Sequence, residues 1–265
     1  MANTVSLPAD FTDYLTIKNA SLKFEEATGV AEKITANGVQ LYPNIDHAAI
    51  LTDQSYLVMG PLKQLGYVFG WDRRSYPITI NDFDYVVLSA RLPQGNPARD
   101  SGWFEYVGIA HPVDEPALKN LLSQDHGNPF IHHLTWGLVP PQRTSEDNFE
   151  YANRLVPFAV EKQNLICEVT GVERGKLIVA LPQEVIDHPD FGMSLPIWLE
   201  GLGPDECDVE LMDGGGFFIQ FFVLEGRSIE IVLRVDTKQA FNAKSLDKIS
   251  EHKIITVQGN SAHLK

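Results

Sequence analysis

The sequence predicts an α+β fold made of two tandem βαβββ modules that form a curved mixed sheet, preceded by an N-terminal helical segment. Three observations predict it. Two short apolar strands, one around His47 and one around His133, open two stretches of chain with the same order of elements. Each is followed by a helix signal and then by β-branched and aromatic runs set apart by Gly, Pro and Asn. A length of 265 residues with 44% hydrophobic content supplies enough apolar surface for two such cores.

Residues 10–36 are rich in helix formers, and Phe11, Tyr14, Leu15, Leu22, Phe24 and Val30 give a loose amphipathic pattern that Asn37-Gly38 stops. This is read as an extension over residues 1–40. Module 1, residues 41–129, begins with a strand over 44–51 that ends at Thr52-Asp53, residue types that cap helices. Its helix carries Leu57, Pro61, Leu62 and Leu65 and is stopped by Gly66. Strands are expected over 67–71, 85–92 and 103–110.

Module 2, residues 130–235, repeats the order, with a strand over 130–139 and a helix over 146–163 that takes Thr144-x-x-Asp147 as its capping box. Strands over 167–172 and 176–181 follow, then a Pro- and Gly-bearing insertion over 182–213. Gly214-Gly215-Gly216 turns into a strand over 217–223, and Glu225-Gly226 leads to the last strand over 228–235. The tail, 236–265, is polar with one helix expected around 243–251.

A formal net charge of -14 and a pI near 4.9 give a field that repels nucleic acid and anionic membranes. No run approaches the ~18 apolar residues of a spanning helix. The start, MANTVSLPADF, lacks the basic end and apolar stretch of a secretion signal, so a cytoplasmic location is expected. Cys167 and Cys207 are far apart with no Cys-x-x-Cys pattern, which argues against a disulfide framework or zinc ribbon.

The chemistry-bearing residues stand at matching places. His47 lies inside the first strand of module 1 and His133 inside the first strand of module 2. Alternation puts His133 on a small or polar face with Thr135 and Gly137, and sends His132 to the apolar face of Leu134 and Trp136; this favours His133 as the inward histidine, with His132 as the alternative. Glu230 sits in Ile229-Glu230-Ile231-Val232-Leu233, where a carboxylate is costly to bury unless paired, protonated or metal-bound. A lone strand histidine is more often a hydrogen-bonded core residue; matched placement and Glu230 raise this pair above that reading. Two imidazoles and one carboxylate make the facial triad that holds Fe(II) with open coordination positions. A hydrogen-bond partner would set each histidine's tautomer, and the sequence does not single it out.

These residues carry a resemblance. Ile45-Asp46-His47, Leu65-Gly66-Tyr67 and Phe130-Ile131-His132-His133-Leu134 look like landmarks of the vicinal-oxygen-chelate superfamily, which includes glyoxalases and extradiol dioxygenases. Gly216-Phe217-Phe218-Ile219-Gln220-Phe221-Phe222 leading to Ile229-Glu230-Ile231-Val232-Leu233-Arg234 is similar to the metal-binding end of 4-hydroxyphenylpyruvate-dioxygenase-like enzymes. The spacings, 133 − 47 = 86 and 230 − 133 = 97 residues, agree in order and scale. The resemblance covers about residues 41–235; the insertion and the N-terminal segment depart from it.

The resemblance implies a non-haem Fe(II) dioxygenase with metal ligands His47, His133 and Glu230, acting with O₂ on a small aromatic or 2-oxo acid substrate that chelates through vicinal oxygens. Gln220, on a face with Phe218 and Phe222, would contact that substrate by the same resemblance, or is part of an ordinary aromatic wall. Glu105, in Trp103-Phe104-Glu105-Tyr106-Val107, is the counterpart of Glu230, and as a fourth ligand or a base it would instead suit Ni, Zn or Co and an isomerase or lyase. A metal-free binding protein of the same superfamily is the third reading. A monomer or homodimer is expected. Arg73-Arg74 is a rim for an anionic substrate or a solvated turn, and His111, His126, His188, His252 and His263 are expected to be solvated.

Overall fold

The computed structural model describes residues 21–53, 55–71, 78–80, 83–93, 95–100, 104, 106–112, 119, 130–212, 215–223, 229–236, 254–258 and 261–264. The fold is α+β, with parallel and antiparallel strand pairs mixed in two compact units. One unit is built on residues 45–135. The other is built on residues 30–44 and 136–240 and takes in residues 250–265.

In the first unit, β1 (Leu41–Leu51, entering the unit at Ile45) leads to α2 (Ser55–Gln64), α1 being Ser21–Ala36. Then come β2 (Val68–Trp71), β3 (Ile78–Ile80), β4 (Phe83–Arg91), the short α3 (Pro97–Asp100) and β5 (Tyr106–Pro112). β5 returns beside β1 in parallel, with Ala48 opposite Val107 and Leu51 opposite Ala110. β4 lies antiparallel to β5, and both β2 and β3 are antiparallel to β4, so the order is β1-β5-β4-β2.

Val58 and Leu62, one helical turn apart on α2, are fully buried. Gly66 ends that helix at φ 90°, where its N–H bonds to Lys63 O at 3.0 Å. Asn96 Nδ2 donates to Leu65 O at 3.1 Å and passes over Gly66 where a Cβ would stand, so glycine is required twice over.

In the second unit, β6 (Phe130–Leu138, in this unit from Trp136) precedes α4 (Asn148–Thr170) and β7 (Leu177–Leu181). The short helices α5 (Gln183–Ile186) and α6 (Phe191–Trp198) then lead to β8 (Cys207–Leu211), β9 (Phe217–Val223) and β10 (Ile229–Val235). β10 and β9 pair antiparallel, β9 and β7 antiparallel, and β7 and β8 parallel. The order β10-β9-β7 repeats β5-β4-β2, and β8 is added outside it. Beyond β8 the tail contributes β11 (Ile254–Gln258) and β12 (Ser261–Leu264), both antiparallel additions.

α4 packs one face inward through Tyr151, Ala152, Leu155, Val156, Ala159, Val160, Gln163 and Ile166, the spacing of a helical stripe. Tyr151 meets Phe217 edge to face at 5.3 Å between ring centroids. Every residue of β7 and β9 is buried, as expected for central strands covered on both faces.

Three sequence expectations are corrected. The helix starts with Asp147 as N-cap and not with the Thr144-x-x-Asp147 box. Asp147 Oδ1 accepts from Glu150 N–H at 2.8 Å, and Glu150 Oε2 accepts from Asp147 N–H at 3.3 Å. Residues 167–170, expected in a strand, are the last turn of α4, which ends at Gly171 with φ 74° and its N–H on Cys167 O. Within the span 182–213, α5, α6 and β8 give regular structure to what the sequence presents as an irregular insertion. The helix expected around 243–251 lies outside the described residues.

Candidate metal centre

His47 reaches its position because β1 runs parallel to β5 with a fixed register, which sets His47 beside Tyr106. The two rings meet edge to face, 5.1 Å apart at 89°. The imidazole is buried and engaged at both nitrogens: Asp46 Oδ1 lies 2.7 Å from Nδ1, and Thr135 Oγ1 lies 3.1 Å from Nε2. A carboxylate on Nδ1 fixes the ring and favours a proton on that nitrogen, which leaves Nε2 as the lone-pair nitrogen.

His133 is buried on β6, two residues before Thr135 and therefore on the same face. Its ring centroid is 5.9 Å from that of His47, at 78°. His132, also buried, does not stay away as alternation suggested: its Nδ1 lies 2.8 Å from His133 Nδ1. Three histidines of the first unit thus form a chain of ring contacts.

Glu230 belongs to the second unit and is 96% buried on β10. The β9–β10 register sets it opposite Phe222, with Val232 opposite Gln220 and Arg234 opposite Phe218. These six residues share one face, so Gln220 is a diagonal neighbour of Glu230. Val232 and Phe218 pack there with Ala180 and Met212, and the Arg234 guanidinium lies 4.5 Å over the Phe218 ring.

His47, His133 and Glu230 each offer one ligand atom, and these atoms all lie within 4.8 Å of one another. Ligands held about 2.1 Å from one divalent ion stand about 3 Å apart when adjacent and about 4.2 Å apart when opposite. By type the donor set suits such an ion: all three groups are buried, and two imidazoles are joined with one carboxyl group.

No family model matches the chain, and no curated protein sequence matches it. Among solved structures it is similar to a variant of 4-hydroxymandelate synthase from Streptomyces coelicolor, at 14% identity and a TM-score of 0.41. That match covers 72% of this chain and 47% of the synthase, so the chain spans about half the length of that neighbour. It is also similar to methylmalonyl-CoA epimerase from Mycobacterium tuberculosis, at 12% identity and a TM-score of 0.32, covering 72% of this chain and 85% of the epimerase. A third is a xylose isomerase-like TIM barrel/4-hydroxyphenylpyruvate dioxygenase fusion protein, at 15% identity and a TM-score of 0.35, covering 78% of this chain and 28% of the fusion.

The remaining sequence candidates fall elsewhere. Glu105, Arg73, Arg74, His126 and His252 lie outside the described residues, as do the side chains of His111 and His263. His188 stacks on Phe149 at 3.6 Å between centroids and has no place in the centre. Cys167 and Cys207 are both free, and burial pushes each thiol above its ordinary pKa. Sequence reasoning missed Asp46, Thr135 and His132 as partners of the imidazoles; the adjacency of Asp46 to His47 was the available signal. Among the described residues, no helix is long and apolar enough to cross a membrane.

Proposed function

We propose that this protein is a metal-dependent enzyme, a non-haem Fe(II) dioxygenase that uses O₂ on a small aromatic or 2-oxo acid substrate chelating through vicinal oxygens. The observation that supports it is the convergence of the ligand atoms of His47, His133 and Glu230 to within 4.8 Å. His47, His133 and Glu230 would hold Fe(II) with three protein ligands, which would leave room for substrate and O₂, and the ion would supply the redox chemistry.

The chain's own residues provide the rest. His47, His133 and Glu230 hold the ion, and Asp46 keeps the His47 ring oriented through Nδ1. Thr135 Oγ1 satisfies His47 Nε2 until a ligand takes its place, so the nitrogen is not left unpaired in a buried setting. The face of Phe218, Phe222 and Val232 excludes water, and Gln220 offers an amide to a polar substrate atom. The modules over 41–129 and 130–235 are proposed as the functional halves, in a cytoplasmic monomer or homodimer. The charge of -14 disfavours nucleic acid as a partner.

Anaerobic loading with Fe(II), followed by O₂ uptake with candidate aromatic and 2-oxo acids, tests this reading. One Fe per chain and substrate-dependent O₂ consumption are expected. His47→Ala and Glu230→Ala should each weaken metal binding by more than about 100-fold, beyond the range for removing an orienting partner. Stoichiometric Ni, Zn or Co with no O₂ dependence would point instead to an isomerase or lyase with Glu105 or Glu230 as base. No metal, with ligand binding unchanged in both variants, would identify a metal-free binding protein.

A further inference from the structure

We propose that His132 is the positioning residue for His133, fixing it as the Nδ1–H tautomer so that Nε2 presents its lone pair to a metal. The inference rests on the reading of His133 as a ligand. Nδ1 of His132 and Nδ1 of His133 are 2.8 Å apart and both rings are buried. A hydrogen bond between two ring nitrogens needs one proton, so one ring donates and the other accepts. If His133 ligates through the nitrogen that His132 does not touch, its Nε2 must be bare, and the shared proton belongs on His133 Nδ1. His132 then accepts at Nδ1 and carries its own proton on Nε2.

The two ligating imidazoles are thereby oriented by different chemistry, a carboxylate for His47 and a neutral ring for His133. An anionic acceptor makes its imidazole the stronger donor, and a neutral acceptor fixes direction with less added basicity.

The test uses the full chain with ¹⁵N-labelled histidine, read in two ways: the tautomer of His133 in the metal-free protein by long-range ¹H–¹⁵N correlation, and Co²⁺ affinity by chelator competition. In the wild type, His133 is expected with Nδ1 protonated and Nε2 bare. In His132→Leu it should move to the Nε2–H form, with Co²⁺ affinity falling about 10-fold. His132→Gln, whose amide oxygen accepts a hydrogen bond, should restore both, which a packing role alone would not produce. An Nε2–H His133 in the wild type, or an unchanged tautomer and affinity in His132→Leu, overturns the proposal. Should the wild type take up no metal, the proposed function falls, while the nitrogen spectrum still decides what His132 does.

Discussion

The two units set their candidate ligands in differently composed strands. In the first, each imidazole is steered by a polar neighbour: Asp46 and Thr135 on His47, His132 on His133. In the second, Glu230 is confined by a strand of apolar residues, with Ile229 and Ile231 beside it and Phe222 across from it. A ring with two inequivalent nitrogens needs its rotation and proton placement specified, and hydrogen bonds do that.

That contrast can be broken by exchanging what is removed. Phe217→Ala strips the β9 side chain that meets Tyr151 and should lower the unfolding free energy by about 3–5 kcal/mol in urea titration. Asp46→Ala in the first unit should behave differently, reducing metal affinity about 10-fold in chelator competition while costing much less stability than Phe217→Ala. An equal loss of stability in both variants would erase the distinction between steering and confinement.

Smaller effects sharpen it at the edge of the second unit. Asp147→Ala removes the side-chain acceptor of the α4 capping box and should cost about 1 kcal/mol, again read by urea titration. The Arg154 guanidinium hydrogen-bonds Glu146 and holds its carboxyl below the ordinary glutamate value of 4.5. A lowered carboxylate pKa contributes stability above that value and loses it as pH falls through the folded-state pKa. The stability gap between wild type and Glu146→Gln should therefore be present at neutral pH and close below pH 4.5.

Continuous apolar runs made the central strands legible: residues 217–223 were read to the residue, and 228–235 differ from β10 by one position. The helix end was not legible, because Cys167-Glu168-Val169-Thr170 has the composition of a strand. Packing overrides that preference: Ile166 continues the buried stripe of α4, and Gly171 supplies the left-handed stop. At the N-terminus two overlapping box patterns were present, and only the structure shows that Asp147 with Glu150 forms the box.

At the candidate site the residue types and their order were readable, since each sits inside a recognisable strand. Their hydrogen-bond partners were not. Alternation describes where Cβ atoms point, and the outer torsions of Asp46 and His132 carry their polar ends back to a neighbour that alternation places on the other face. The strands that the tail adds beyond β8 were missed although Ile254-Ile255-Thr256-Val257 is a β-branched run, because the polar residues around it masked that signal and its pairing partner is remote in the chain.

Asp46-His47 and His132-His133 each place a candidate ligand and the polar group that touches it next to one another in the chain. Strand register therefore acts as a selector: sliding β6 by a single residue would bring His132 to the place that His133 holds, while the same slide in β1 would bring an oxygen donor to the place of a nitrogen donor. Under the proposed function, the choice of ion would in this way be tied to the fidelity of strand pairing as well as to the side chains themselves.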